Sequence, residues 1–155
     1  MKLKPIHALV LVAAFMALIL GADHLRTGVR HSFERVGPGD DGLVRIGVGD
    51  LERMEVRWYR FLNTGNQEVR FLVGRDDSDT IQVGFDAGVT HLKNRRGFSY
   101  QDGWIIDNKC ETTTRLAAVN EHKRGCKPTP VKHRVDGDEL IITERDMLDG
   151  WRYFR

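Results

Sequence analysis

Apolar residues recur at every second position through most of the chain beyond residue 42. In "LVRIGV" (43 to 48), Val44, Ile46 and Val48 alternate with Leu43, Arg45 and Gly47. "EVRWYRFLN" (55 to 63) is rich in aromatic residues, and "EVRFLVGR" (68 to 75) alternates through Val69, Phe71 and Val73. A period of two with β-branched and aromatic residues predicts strands. "DDSD" (76 to 79) consists of turn formers and leads into "TIQVGF" (80 to 85), whose Ile81, Val83 and Phe85 share a face, so these two runs predict a hairpin. The turn is not a calcium loop, which needs glycine sixth and glutamate twelfth; counted from Asp77, those places hold Gln82 and Gly88.

After Phe85 the chain is expected to be loop-rich as far as "GWII" (103 to 106), a short apolar run, followed by the segment that holds both cysteines, Cys110 and Cys126. "PVKHRV" and "ELIIT" flank the turn "DGD" (136 to 138) as a second hairpin. Thr143, with Asp146 three residues on, predicts a capped short helix through about Leu148, stopped by Gly150. The expected fold is mainly β: a β-sandwich or partly open barrel of short antiparallel strands with one short C-terminal helix.

The first 22 residues differ from all that follows. Lys2 and Lys4 precede a run from Ile6 to Ala22 whose only strongly polar member is His7, and the first acidic residue is Asp23. The run is long enough to direct the chain to a membrane, and it lacks the polar face of a helix buried in a soluble domain. A cleaved signal wants small residues at the first and third positions before the cut, and here bulky Leu20 lies two places before Ala22. Residues 1–22 are therefore expected to be an uncleaved anchor in the inner membrane. The preceding lysines keep the N-terminus inside and place the C-terminal domain in the periplasm. Residues 23–42, with "GPGDDG", are expected to be a linker, and residues 43–155 a single domain.

Charge narrows the choice of partners. Of 24 basic residues, setting aside Lys2 and Lys4 leaves 22 against 22 acidic ones, so the exported part carries no formal net charge. Nucleic acid is not expected as a partner, because binding it needs a basic face. The membrane is. There is no nucleophile elbow, no CxxC and no CxxCH, so neither spacing nor local signature indicates an enzyme.

"VRFLVGRDDSDTIQVGFDAG", "GFSYQDG", Cys110, "GCKPTP", "VDGDELII" and the closing "RYF" follow one another in an order and spacing that resembles the FtrD-like family of membrane-associated iron–sulfur proteins, associated with bacterial ferrous-iron transport. The resemblance covers about residues 43 to 155. It implies an accessory role in iron transport or electron handling, with an iron permease or another membrane redox protein as partner, and an iron–sulfur cluster as cofactor. In the family, Phe-Asp-Ala is followed by a CxxC pair, a second CxxC follows the next short strand, and a fifth cysteine lies in Gly-Cys-x-Pro. Here the first pair falls on Gly88 and His91, the second on Asp107 and Cys110, and Cys126 completes the set.

A cluster normally takes four protein ligands, mostly thiolates, and this chain has two cysteines, so retention of the cluster is not expected. Three arrangements stay open. Cys110 and Cys126 can form a disulfide, a degenerate site of His91, Asp107, Cys110 and Cys126 (with His122 as an alternative to Asp107) can hold a single zinc, copper or iron ion, or the thiols are free. With the disulfide, the domain also reads as a non-redox interaction or scaffold module. The anchor reading is checked by the intact mass of the protein extracted from membranes, which should include residues 1–22; a chain beginning near Asp23 would defeat it.

Overall fold

In the computed structural model, the described residues are 15–16, 31–88, 96–121 and 125–155. The expected anchor, apart from Phe15 and Met16, lies outside them, as do His91 and His122. Among the described residues no helix is long and apolar enough to cross a membrane. The chain divides at Arg30 and His31, and the fold below is that of His31–Arg155.

Among the described residues, eleven strands form three sheets. The widest has the order β1 (Glu34–Val36), β3 (Val56–Leu62), β4 (Glu68–Arg75), β5 (Ile81–Phe85), β9 (Thr129–Pro130). A second is β10 (Arg134–Asp136), β11 (Glu139–Thr143), β2 (Leu43–Gly47), and a third is β6 (Phe98–Gln101), β7 (Trp104–Asp107), β8 (Thr113–Arg115). The pairings are antiparallel except that of β1 with β3. A short helix, α1 (Glu144–Leu148), follows β11.

Alternation places each apolar set. One core joins Phe61, Phe71, Val73 and Val83 of the wide sheet to Val44, Ile46, Leu140 and Ile142 of the second sheet, with Met147 of α1 beneath. The opposite face of the wide sheet carries Trp58 and Leu72, which pack with Phe98, Ile105, Leu116 and Val119. The wide sheet is thus buried on both faces, and every residue of β5 is buried. The fold is mainly β, of short antiparallel strands with one short C-terminal helix as expected, and its wide sheet carries a core on each face. Gly84 makes the close approach possible on the second face, because a Cβ there would stand 2.7 Å from Pro128 and 2.9 Å from Val119.

Both predicted hairpins form, with particular devices. Asp76 closes the turn between β4 and β5: its Oδ1 accepts from the N–H groups of Ser78 (2.9 Å) and Thr80 (2.8 Å), and its Oδ2 accepts from Gln82 Nε2 (2.8 Å). Satisfied in this way, a carboxylate tolerates burial. The second hairpin begins at Arg134, later than expected, since Pro130 pairs with Gly84 at the edge of the wide sheet. Thr143 caps α1 by accepting from Asp146 N at 3.0 Å.

One expectation needs correction. Residues 23–42 do not all serve as a linker, because Glu34–Val36 pairs with Tyr59–Phe61 as an edge strand of the wide sheet. Three residues without apolar alternation are too short to stand out as a strand in the sequence. The stretch expected to be loop-rich between Phe85 and Gly103 also holds one short strand, since Phe98–Gln101 forms β6 against β7.

Leu116 is 1% exposed and lies over Gly74, where a Cβ would come within 2.7 Å of its Cδ1. Leu116→Ala is expected to lower unfolding stability by about 2–5 kcal/mol, measured by chemical denaturation; a loss below half a kcal/mol would show that the second core contributes little.

Candidate metal and disulfide site

The site forms where β7 ends. Asp107, fully buried at the last position of β7 and paired with Phe98, turns its carboxylate back onto its own loop. Its Oδ1 accepts from the N–H groups of Lys109 and Cys110, both at 2.8 Å. Its backbone N–H donates to Thr112 O at 2.9 Å and its carbonyl accepts from Glu111 N at 2.9 Å. Glu111, with φ +56°, completes the reversal. Together these bonds fix Cys110 relative to Asp107.

Cys126 arrives from the other side. Its carbonyl accepts from Thr112 Oγ1 at 3.2 Å. Two residues on, Pro128 sits against Gly84, and Thr129 N donates to Ala87 O at 3.2 Å. The result is a Cα–Cα distance of 6.4 Å between Cys110 and Cys126, and the two sulfurs are bonded as a disulfide. Ligand atoms of Asp107, Cys110 and Cys126 all lie within 4.8 Å of one another. Both cysteines are half-buried, while Asp107 is fully buried.

Three of the four expected site residues are therefore brought together: Asp107, Cys110 and Cys126. The fourth, His91, is outside the described residues. Gly88, at the position of the family's first ligand, is described and buried, and has no side chain to offer. An iron–sulfur cluster does not fit this donor set, because the two cysteine sulfurs are joined to each other and a carboxylate is the remaining donor gathered among the described residues.

Asp86 belongs to the same neighbourhood, although sequence reasoning gave it no role. It follows β5 directly, and its Oδ1 accepts from Phe98 N at 2.7 Å, tying the start of β6 to the wide sheet. Gly97 lies over this carboxylate with φ +60°, and a Cβ there would stand 2.4 Å from Asp86 Oδ1. Glycine is needed for both reasons. Burial pushes the Asp86 pKa up to about 6, against the opposing influence of the Phe98 N–H and the Arg70 charge. The glycine eleven residues downstream was the available signal, but one such glycine does not identify its partner. His31 was also missed: it stacks on Trp58, ring centroids 4.1 Å apart, and burial lowers its pKa.

With the fold and site in view, comparison with known proteins supplies the class. The family described as membrane iron-sulfur containing protein FtrD-like matches residues 51–154, and the chain belongs to that family. No curated protein and no solved structure matches it.

Asp86 predicts a pH dependence. Its folded pKa is raised above the unfolded value, so the folded state binds the proton more tightly. The corresponding stability is present in full below about pH 4 and is lost as pH rises through about 6. Asp86→Asn, which keeps an acceptor for Phe98 N, should flatten the stability profile between these limits and gain up to about 3 kcal/mol relative to the parent at neutral pH. Denaturant unfolding across pH 4 to 8 checks this, and parallel profiles for the two proteins would refute it.

Proposed function

We propose that this chain is a non-enzymatic accessory of iron transport, anchored in the inner membrane by residues 1–22, with its domain in the periplasm beside an iron permease or another membrane redox protein. Membership of the FtrD-like family supports the iron-related, membrane-associated part. The observation that carries the reading is the Cys110–Cys126 bond, which joins two positions that match the family's ligands. Disulfides persist in oxidising compartments such as the periplasm and are rare in the cytosol, which supports export of the domain.

The same bond favours a second reading, a non-redox interaction module that kept the β scaffold while the disulfide replaced the cluster as a staple. Closing a loop of this length contributes about 3 kcal/mol in the chain-entropy model. On this reading the double substitution Cys110→Ser and Cys126→Ser lowers stability but supports iron uptake wherever the domain stays folded.

Ferrous-iron accumulation in cells lacking the chain is expected to fall and to recover with the full-length protein. Unchanged accumulation would remove the iron role. Alkylation of the membrane-extracted protein under denaturing conditions, with chelator and without reductant, should find no free thiol. Two free thiols would remove both the bond and the argument for the compartment.

A further inference from the structure

We propose that the Cys110–Cys126 bond is a redox gate on a site for one thiophilic divalent cation: closed as the disulfide, and opened by two-electron reduction to a pair of thiolates that bind the cation together with the Asp107 carboxylate. The inference rests on reading these cysteines as ligand positions and is independent of the iron-transport role.

Its basis is that each sulfur is positioned by contacts that do not pass through the S–S bond. Cys110 is held by its own N–H on Asp107 Oδ1, in a turn closed by the two backbone bonds of Asp107 with Glu111 and Thr112. Cys126 is held by Thr112 Oγ1 on its carbonyl, by Pro128 against Gly84 and by the pairing of β9 with β5. Between them the chain is pinned by Leu116 and Val119, both buried in the second core. Breaking the bond therefore leaves the sulfurs adjacent. They then need to separate to about 3.7 Å, the edge of a tetrahedron with metal–sulfur bonds of about 2.3 Å, which is a side-chain rotation.

The donor chemistry selects the cation. Two thiolates and one carboxylate suit a borderline-soft ion such as zinc or cobalt(II), whose four-coordinate preference a water molecule can complete beside the two half-buried cysteines. The N–H groups of Lys109 and Cys110 on Asp107 Oδ1 fix the carboxylate's direction, as outer hydrogen bonds do for metal ligands generally. As the disulfide, neither sulfur is a thiolate and the site has no soft donor.

The steps balance. A dithiol reductant gives up two electrons and two protons, the S–S bond breaks, Cys110 and Cys126 become thiols, and the reductant leaves as its own disulfide. The cation then displaces one proton from each thiol as two metal–sulfur bonds form. Reoxidation by a disulfide reverses both steps and expels the ion.

The test uses the full chain in detergent under anaerobic conditions, reduced by a dithiol that is then removed, with cobalt(II) as probe. The reduced protein should bind one equivalent with a thiolate-to-cobalt charge-transfer band and release two protons per ion, and bound cobalt should protect both thiols from alkylation. The oxidised protein should show no band. Asp107→Asn, whose side-chain oxygen can still accept from Lys109 and Cys110, should weaken cobalt binding about tenfold or more; should that variant not fold, Cys126→Ser replaces it and should weaken both the band and the affinity. No band in the reduced protein, equal binding in both redox states, an unchanged affinity in Asp107→Asn, or stoichiometric iron with acid-labile sulfide in the purified chain would each overturn the proposal. None of these outcomes alters the ferrous-uptake result, so the two readings fail separately.

Discussion

The hairpin of β4 and β5 is buried from both sides, and most of the architecture follows from that constraint. A sheet whose two faces are both apolar must be covered twice, and at about 25 cal/mol per Å2 neither covering layer is dispensable. One cover is regular: Val44, Ile46, Leu140 and Ile142 alternate into it from paired strands. The other is assembled from smaller pieces, with Phe98 and Ile105 from a three-stranded sheet and Leu116 and Val119 from the turn that follows it. The disulfide closes around this second cover, joining the end of β7 to the strand that returns to the wide sheet.

The part of the fold with one-sided alternation was legible in the sequence. Val44 and Ile46 of β2 are buried while Arg45 and Gly47 are exposed, as their spacing implies, and the capped helix after Thr143 forms where its residues place it. Period two was less informative where both faces are buried, since Leu72, between Phe71 and Val73 on β4, is as deeply buried as they are. Gly74 and Gly84 carried the missing information: a glycine inside a strand marks close approach of another segment. The strands β6, β8 and β9 are four residues or fewer, below the length at which periodicity has meaning.

The site divides in the same way. The placing of Cys110, Asp107 and Cys126 together was legible only through the family's order of motifs, since sixteen residues of separation say little about distance. The role of Asp86 was not legible. Its burial is produced by Gly97 folding over it and by Phe98 N–H meeting it, and both are tertiary events. The exposed ion pairs, such as Arg57 with Asp50, were equally hidden, but pairs of this kind contribute little to stability. Asp86 and Asp107 differ from them because each carboxylate is withdrawn from water and aimed at backbone N–H groups.

The widest sheet ends in two short strands: β1 has three residues, and β9 has two, the second of which is Pro130. A long free edge is a template on which another chain can add a strand, and short edges and proline are the usual means of denying it. Among the described residues, then, neither end of this sheet offers an extended backbone ladder for another chain to continue. Short edges of this kind disfavour self-association by strand addition, the common failure of β-rich domains held at high local concentration.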